Sequence, residues 1–141
     1  MGSMAEEWET DYEEVRLFFK EVLEAERIDL SSMNTFTFKD KEGKFGLKGV
    51  TYKINILTAH GKVYLIELKS FANADDVDWF FFKTSVIAKA LGFSEPIRMF
   101  MAVTATDEAL ERAKEYGIKM LAADVIEKPK PRRSGGRKLQ S

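Results

Sequence analysis

The chain has 141 residues, 45% hydrophobic and 32% charged, the make-up of one globular domain with one core. It has no cysteine and a single histidine, which excludes a disulfide framework and a thiolate zinc site and argues against histidine-based metal or triad chemistry. No apolar run nears the roughly 18 residues of a membrane span, so no membrane partner and a cytoplasmic location are expected. The net charge of −1 divides unevenly. Lys128, Lys130, Arg132, Arg133, Arg137 and Lys138 give the last stretch +6 with no acid, leaving −7 for the rest. Such a tail suits a nonspecific nucleic-acid arm, and equally a disordered, solubilising terminus.

Met1-Gly2-Ser3-Met4 reads as a cloning scar, so one domain is expected over 4–127, followed by the basic tail 128–141. The acidic first twenty residues are not expected to act as a signal peptide. Residues 5–27 read as a helix. Trp8, Tyr12, Val15, Phe19 and Val22 form one apolar stripe at helical period, widened by Phe18 and Leu23. Residues 35–38 alternate as a strand. Residues 40–49 are charged and hold three glycines, so they form a turn or loop.

Residues 51–70 form a hairpin. A three-residue loop, Ala59-His60-Gly61, would place Gly61 in the left-handed conformation and set Ile56 opposite Tyr64 and Ile54 opposite Ile66. The even-numbered face (Tyr52, Ile54, Ile56, Tyr64, Ile66, Leu68) would then be apolar. The odd-numbered face would gather Lys53, Asn55, Glu67 and Lys69 at one end. A two-residue loop would instead put Asn55 and Glu67 on opposite faces.

Asn73 caps a helix running to Leu91, with Asp75 and Asp76 in its first turn and Gly92 at its end. Its aromatic run Trp79, Phe80, Phe81 and Phe82 cannot all face one core. Trp79 and Phe82 are therefore candidates for a homodimer face. Residues 97–103 are a nearly continuous apolar strand, as at the centre of a sheet covered on both sides. Thr106 caps a helix over 107–116, Gly117 ends it, and 118–121 form a last short strand. A hairpin followed by crossover units predicts an α/β mixed sheet flanked by helices.

Glu-x-Lys on a strand, with an oxygen donor on the neighbouring strand, suits Mg²⁺-assisted phosphodiester hydrolysis. Alone it also describes a solvated strand edge. Taken together, Lys53-Ile54-Asn55-Ile56, the stretch from Gly61 to Ser70 and Asp76-Val77-Asp78-Trp79-Phe80 with Lys83 resemble the PD-(D/E)XK nuclease superfamily. Ala113-Lys114-Glu115-Tyr116-Gly117-Ile118 extends the match. The nearest likeness is to an uncharacterised archaeal group within it. The resemblance spans about 13–122. It implies a restriction-endonuclease-like αβββαβ core with a further helix and short strand. It also implies Mg (or Mn) as cofactor, Glu67 as metal ligand and Lys69 as catalytic lysine. The family's metal-binding aspartate falls at Asn55 and its preceding glutamate at Lys53.

An amide offers one neutral oxygen where a carboxylate offers charge, so Mg²⁺ binding should be weak. Asn55 is then a deliberate inactivation, a natural decay, or a ligand replaced by another acid such as Glu14 or Glu21. Ser70 and Lys83 are further site candidates. The function expected is a Mg-dependent nuclease, or an impaired nuclease-fold relative that binds nucleic acid, DNA before RNA. The acidic body confines that contact to a cleft and the tail. The alternative is a non-catalytic homodimeric binding or scaffold module.

Overall fold

A computed structural model of the chain describes residue 13 and residues 17–127. The first half of the predicted leading helix, Glu14 included, and the basic tail lie outside the described residues. In order, the elements are helix α1 (Lys20–Ala25), a 3₁₀ turn (Leu30–Ser32), strands β1 (Asn34–Asp40), β2 (Val50–Ala59) and β3 (Lys62–Ala72), helix α2 (Ala74–Leu91), strand β4 (Ile97–Thr106), helix α3 (Asp107–Tyr116) and strand β5 (Lys119–Ile126). One mixed sheet has the order β1-β2-β3-β4-β5. The first three strands pair antiparallel, and β3-β4 and β4-β5 pair parallel.

The helix limits follow local chemistry. Asn73 and Asp76 form a reciprocal capping box, with side chain to backbone contacts of 3.0 and 2.9 Å. Gly92 and Gly117 end α2 and α3 at φ 78 and 73. Thr106 Oγ1 accepts the Ala109 N–H at 3.0 Å and starts α3.

The sheet separates two cores. One packs α2 and α3 on Tyr52, Ile54, Leu65 and Phe100, with the rings of Phe80 and Phe100 edge to face at 5.2 Å. The other packs Phe19, Leu23, Ile28 and Leu30 on Leu57, Ile66, Leu68 and Met101. In the described part of the first helix, Phe19 and Leu23 face this core. Val22 and Phe18, assigned to the apolar stripe, are 40% and 58% exposed. A spacing of four carries the buried line there, and the stripe turns away from Val22.

The hairpin departs from the expected loop. Its turn has two residues, His60 and Gly61, both at positive φ (57 and 73). Those angles are what a type I′ turn requires, and its twist matches that of the strands. His60 accepts the left-handed conformation while its Nε2 lies 3.2 Å from the Arg27 carbonyl, tying the turn to the segment after α1. The register is therefore Ala59↔Lys62, Leu57↔Tyr64, Ile56↔Leu65 and Asn55↔Ile66. The predicted even-numbered face is split: Tyr52 and Ile54 join the α2/α3 core, while Tyr64, Ile66 and Leu68 join the α1 core.

Candidate functional site

The register decides which side chains can meet. Opposed residues of a strand pair share a face, and side chains alternate along each strand. Asn55 thus shares the α1 face with Ile66. One step further along the same register, Glu67 stands opposite Ile54, on the face covered by α2. Asn55 and Glu67, expected to hold one metal ion together, point to opposite sides of the sheet.

Asn55 is 7% exposed and hydrogen-bonded at both ends of its amide. Its Oδ1 accepts the Thr35 hydroxyl at 3.0 Å, and its Nδ2 donates to the Ile66 carbonyl at 3.3 Å. It stitches three strands together, which satisfies a buried amide without a ligand. Lys53 is exposed, pairs with Thr37, and lies on the Asn55 side, so it adds no repulsion to Glu67. Ser70 is exposed beside Lys69 on β3. Glu21 is exposed on α1, whose core contacts lie on the face away from Glu67, so it does not join Glu67.

On the α2 face the structure brings Glu67, Lys69 and Lys83 together and adds Asp76. Lys83 donates to Glu67 Oε1 at 2.9 Å, with side chains 10% and 25% exposed. Lys69 Nζ lies 3.7 Å from Asp76 Oδ1, the side chains 39% and 30% exposed. The result is an alternating set of charges in which each carboxylate has a lysine. Lys83 reaches it because the spacing of α2 brings it to the sheet side with Val77, Phe80 and Ile87. Asp76 was legible only as a first-turn acid. Its second contact, across to β3, depends on how the helix lies on the sheet.

The ligand set implied for Mg²⁺ does not fit this arrangement. The position across from Glu67 is Ile54, 2% exposed and apolar. Glu67 already holds an ammonium group, and Asn55 is on the far side. Among the described residues no three carboxylate, histidine or cysteine side chains gather closely enough to hold a metal ion.

A second charged cluster joins the two helices of that face. Arg112 Nη1 donates to Asp78 Oδ1 at 2.7 Å, and the Tyr116 hydroxyl donates to the same oxygen at 2.6 Å. These bonds, that to Arg112 first, hold the Asp78 carboxyl below its ordinary range. The bond to Asp78 raises the Tyr116 phenol above its own. Tyr116 also stacks on Phe81, centroids 4.3 Å apart. No protein-family model, no curated protein and no solved structure matches the chain.

Proposed function

We propose that this chain is a restriction-endonuclease-like relative that binds nucleic acid without cleaving it. One observation carries the reading: the His60-Gly61 turn sets Asn55 and Glu67 on opposite faces. Metal-assisted displacement at phosphorus needs its ligands and its lysine gathered around one phosphate. Here Glu67 is neutralised by Lys83, and Asn55 is held by Thr35 and Ile66. The mixed sheet, with Glu67-Leu68-Lys69 on β3 and a helix next in sequence, agrees with the architecture the resemblance implies. The binding half of the reading rests on the six cations of residues 128–141.

The test is a cleavage and binding assay on branched, duplex and single-stranded DNA with Mg²⁺ or Mn²⁺. No cleavage is expected from this chain or from Asn55→Asp, because the new carboxylate would still face away from Glu67. Binding is expected to weaken with salt, with a log–log slope of roughly −3 to −5, and to lose most of that slope without residues 128–141. Metal-dependent cleavage that Glu67→Ala abolishes, or no binding at any salt, would sink the proposal.

A further inference from the structure

The α2 flank beside the charged set carries an exposed aromatic surface that the proposed function leaves unused. Trp79 is 43% and Phe82 36% exposed. Both lean on Tyr52, itself fully buried. Trp79 stacks on it at 5.9 Å and 21°, and Phe82 lies at 6.2 Å from it and 5.7 Å from Trp79. Leu47, 53% exposed, extends the surface, and its N–H donates to the Tyr52 hydroxyl at 2.9 Å.

The surface is built on rigid supports. The buried Asp40 carboxylate accepts the N–H groups of Lys44, Phe45 and Gly46 at 2.9, 3.0 and 2.6 Å, which fixes the loop that carries Leu47. Gly46 packs so tightly that a methyl group there would come within 2.6 Å of Val86 and 2.7 Å of the Tyr52 hydroxyl. The Tyr52 ring on which Trp79 stacks is therefore held in place.

Its loop side is basic, while on the helix side exposed Asp75 precedes Trp79 by one turn. Exposed Lys41, Lys44 and Lys48 lie on the loop, against one exposed acid, Glu42. On the helix side, Trp79 sits three residues after Asp76 and four before Lys83. Helical spacing thus brings it alongside the Lys69–Asp76 and Lys83–Glu67 pairs. A second copy would need acids to meet the loop lysines across its twofold axis. Two of the three α2 acids are engaged elsewhere: Asp76 with Asn73 and Lys69, and Asp78 with Arg112 and Tyr116. The third, Asp75, is exposed and borders a cleft with Thr106 and Glu108. A polyanion with flat apolar faces meets both the rings and the lysines.

We propose that Trp79, with Phe82 beside it and Leu47 and the lysines of its loop reached across Tyr52, is a stacking platform for the unpaired bases of single-stranded nucleic acid. This rests on the reading of the chain as a nucleic-acid binder and specifies its preferred form. In a duplex the base faces are hidden in the stack, whereas an unpaired base can lay its π-face on an exposed indole. The lysines then meet the backbone phosphates, a contact tolerant of sequence.

The chain has two tryptophans, Trp8 and Trp79, so the full-length Trp8→Phe protein reports Trp79 alone. It is titrated with oligothymidine, oligouridine and a mixed-sequence duplex at low and high salt, following tryptophan quenching and ligand anisotropy. Saturable quenching by the single strands is expected, with little from the duplex. Trp79→Ala, made in the full chain, should weaken single-strand binding about tenfold or more and leave duplex binding within about twofold. Trp79→Phe, which keeps the packing on Tyr52, should recover most of the affinity. Lys44→Ala with Lys48→Ala should lessen the salt dependence.

If nucleic acid binds but Trp79 is not quenched and Trp79→Ala changes nothing, the platform is overturned and the binder reading stands. If no nucleic acid binds, both fall. Sedimentation that finds a dimer dispersed by Trp79→Ala assigns the surface to a second copy and overturns the platform.

Discussion

At the scale of single residues, the Lys83–Glu67 pair sets two opposite charges against the α2 core. Glu67 sits between Ile54 across the hairpin and Phe100 on β4, both nearly or fully buried. Such a carboxylate is tolerable because Lys83 meets it at 2.9 Å. Lys83→Met should fit the helix face but leave Glu67 without its cation. A loss of about 1–3 kcal/mol in urea unfolding is expected. Adding Glu67→Gln to Lys83→Met should recover part of it, since the unpaired charge is gone. Equal stability of the single variant and the parent would show the pair to be idle. In the packed core beneath, Phe80 is 1% exposed and meets Phe100 edge to face, so Phe80→Ala should cost about 3–5 kcal/mol by the same measurement. Asn55 needs no metal to explain its burial, because its amide is bonded on both sides by neighbouring strands.

At the scale of elements, helices α2 and α3 are clasped by Asp78, Arg112 and Tyr116, and pH should expose that clasp at both extremes. The folded Asp78 carboxyl titrates below its ordinary value, so its contribution is present above about pH 4 and fades as pH falls through the lowered value. The folded Tyr116 phenol titrates above its ordinary value, so its contribution is present below about pH 10 and fades as pH rises through the raised value. Thermal unfolding of Asp78→Asn should therefore show a shallower acid decline than the parent. Superimposed profiles would deny the clasp any role.

Much of the element plan was legible in the chain. Asn73 and Gly92, and Thr106 and Gly117, bracket α2 and α3 through contacts a few residues apart. The hairpin turn was not. Ala59-His60-Gly61 fits a loop of two or three residues locally. The shorter loop asks His60, a residue with a side chain, to take positive φ. Its ring lies against the Arg27 carbonyl, 33 residues earlier, a contact that no local pattern reports. The pairing of Asp76 with Lys69 was hidden for the same reason.

At the scale of the whole molecule, the candidate site and the two cores are governed by one register. The charged set was legible as to its members Glu67, Lys69 and Lys83, but their company was not. A single residue of loop length exchanges Lys53 for Ile54 opposite Glu67 and moves Asn55 from the diagonal to the other face. The sheet is thus a partition: Tyr52, Ile54 and Leu65 serve the core under α2 and α3, and Leu57, Ile66 and Leu68 serve the core under α1.

That partition limits what a single substitution can do to the site. A chain of this kind cannot build a metal centre on Glu67 by changing Asn55 alone, because the new acid would arrive on the wrong side. Lengthening the turn to bring position 55 beside Glu67 would shift β2 by one residue against its partner. Tyr52 and Ile54, 0% and 2% exposed, would leave their core as Thr51 and Lys53 entered it.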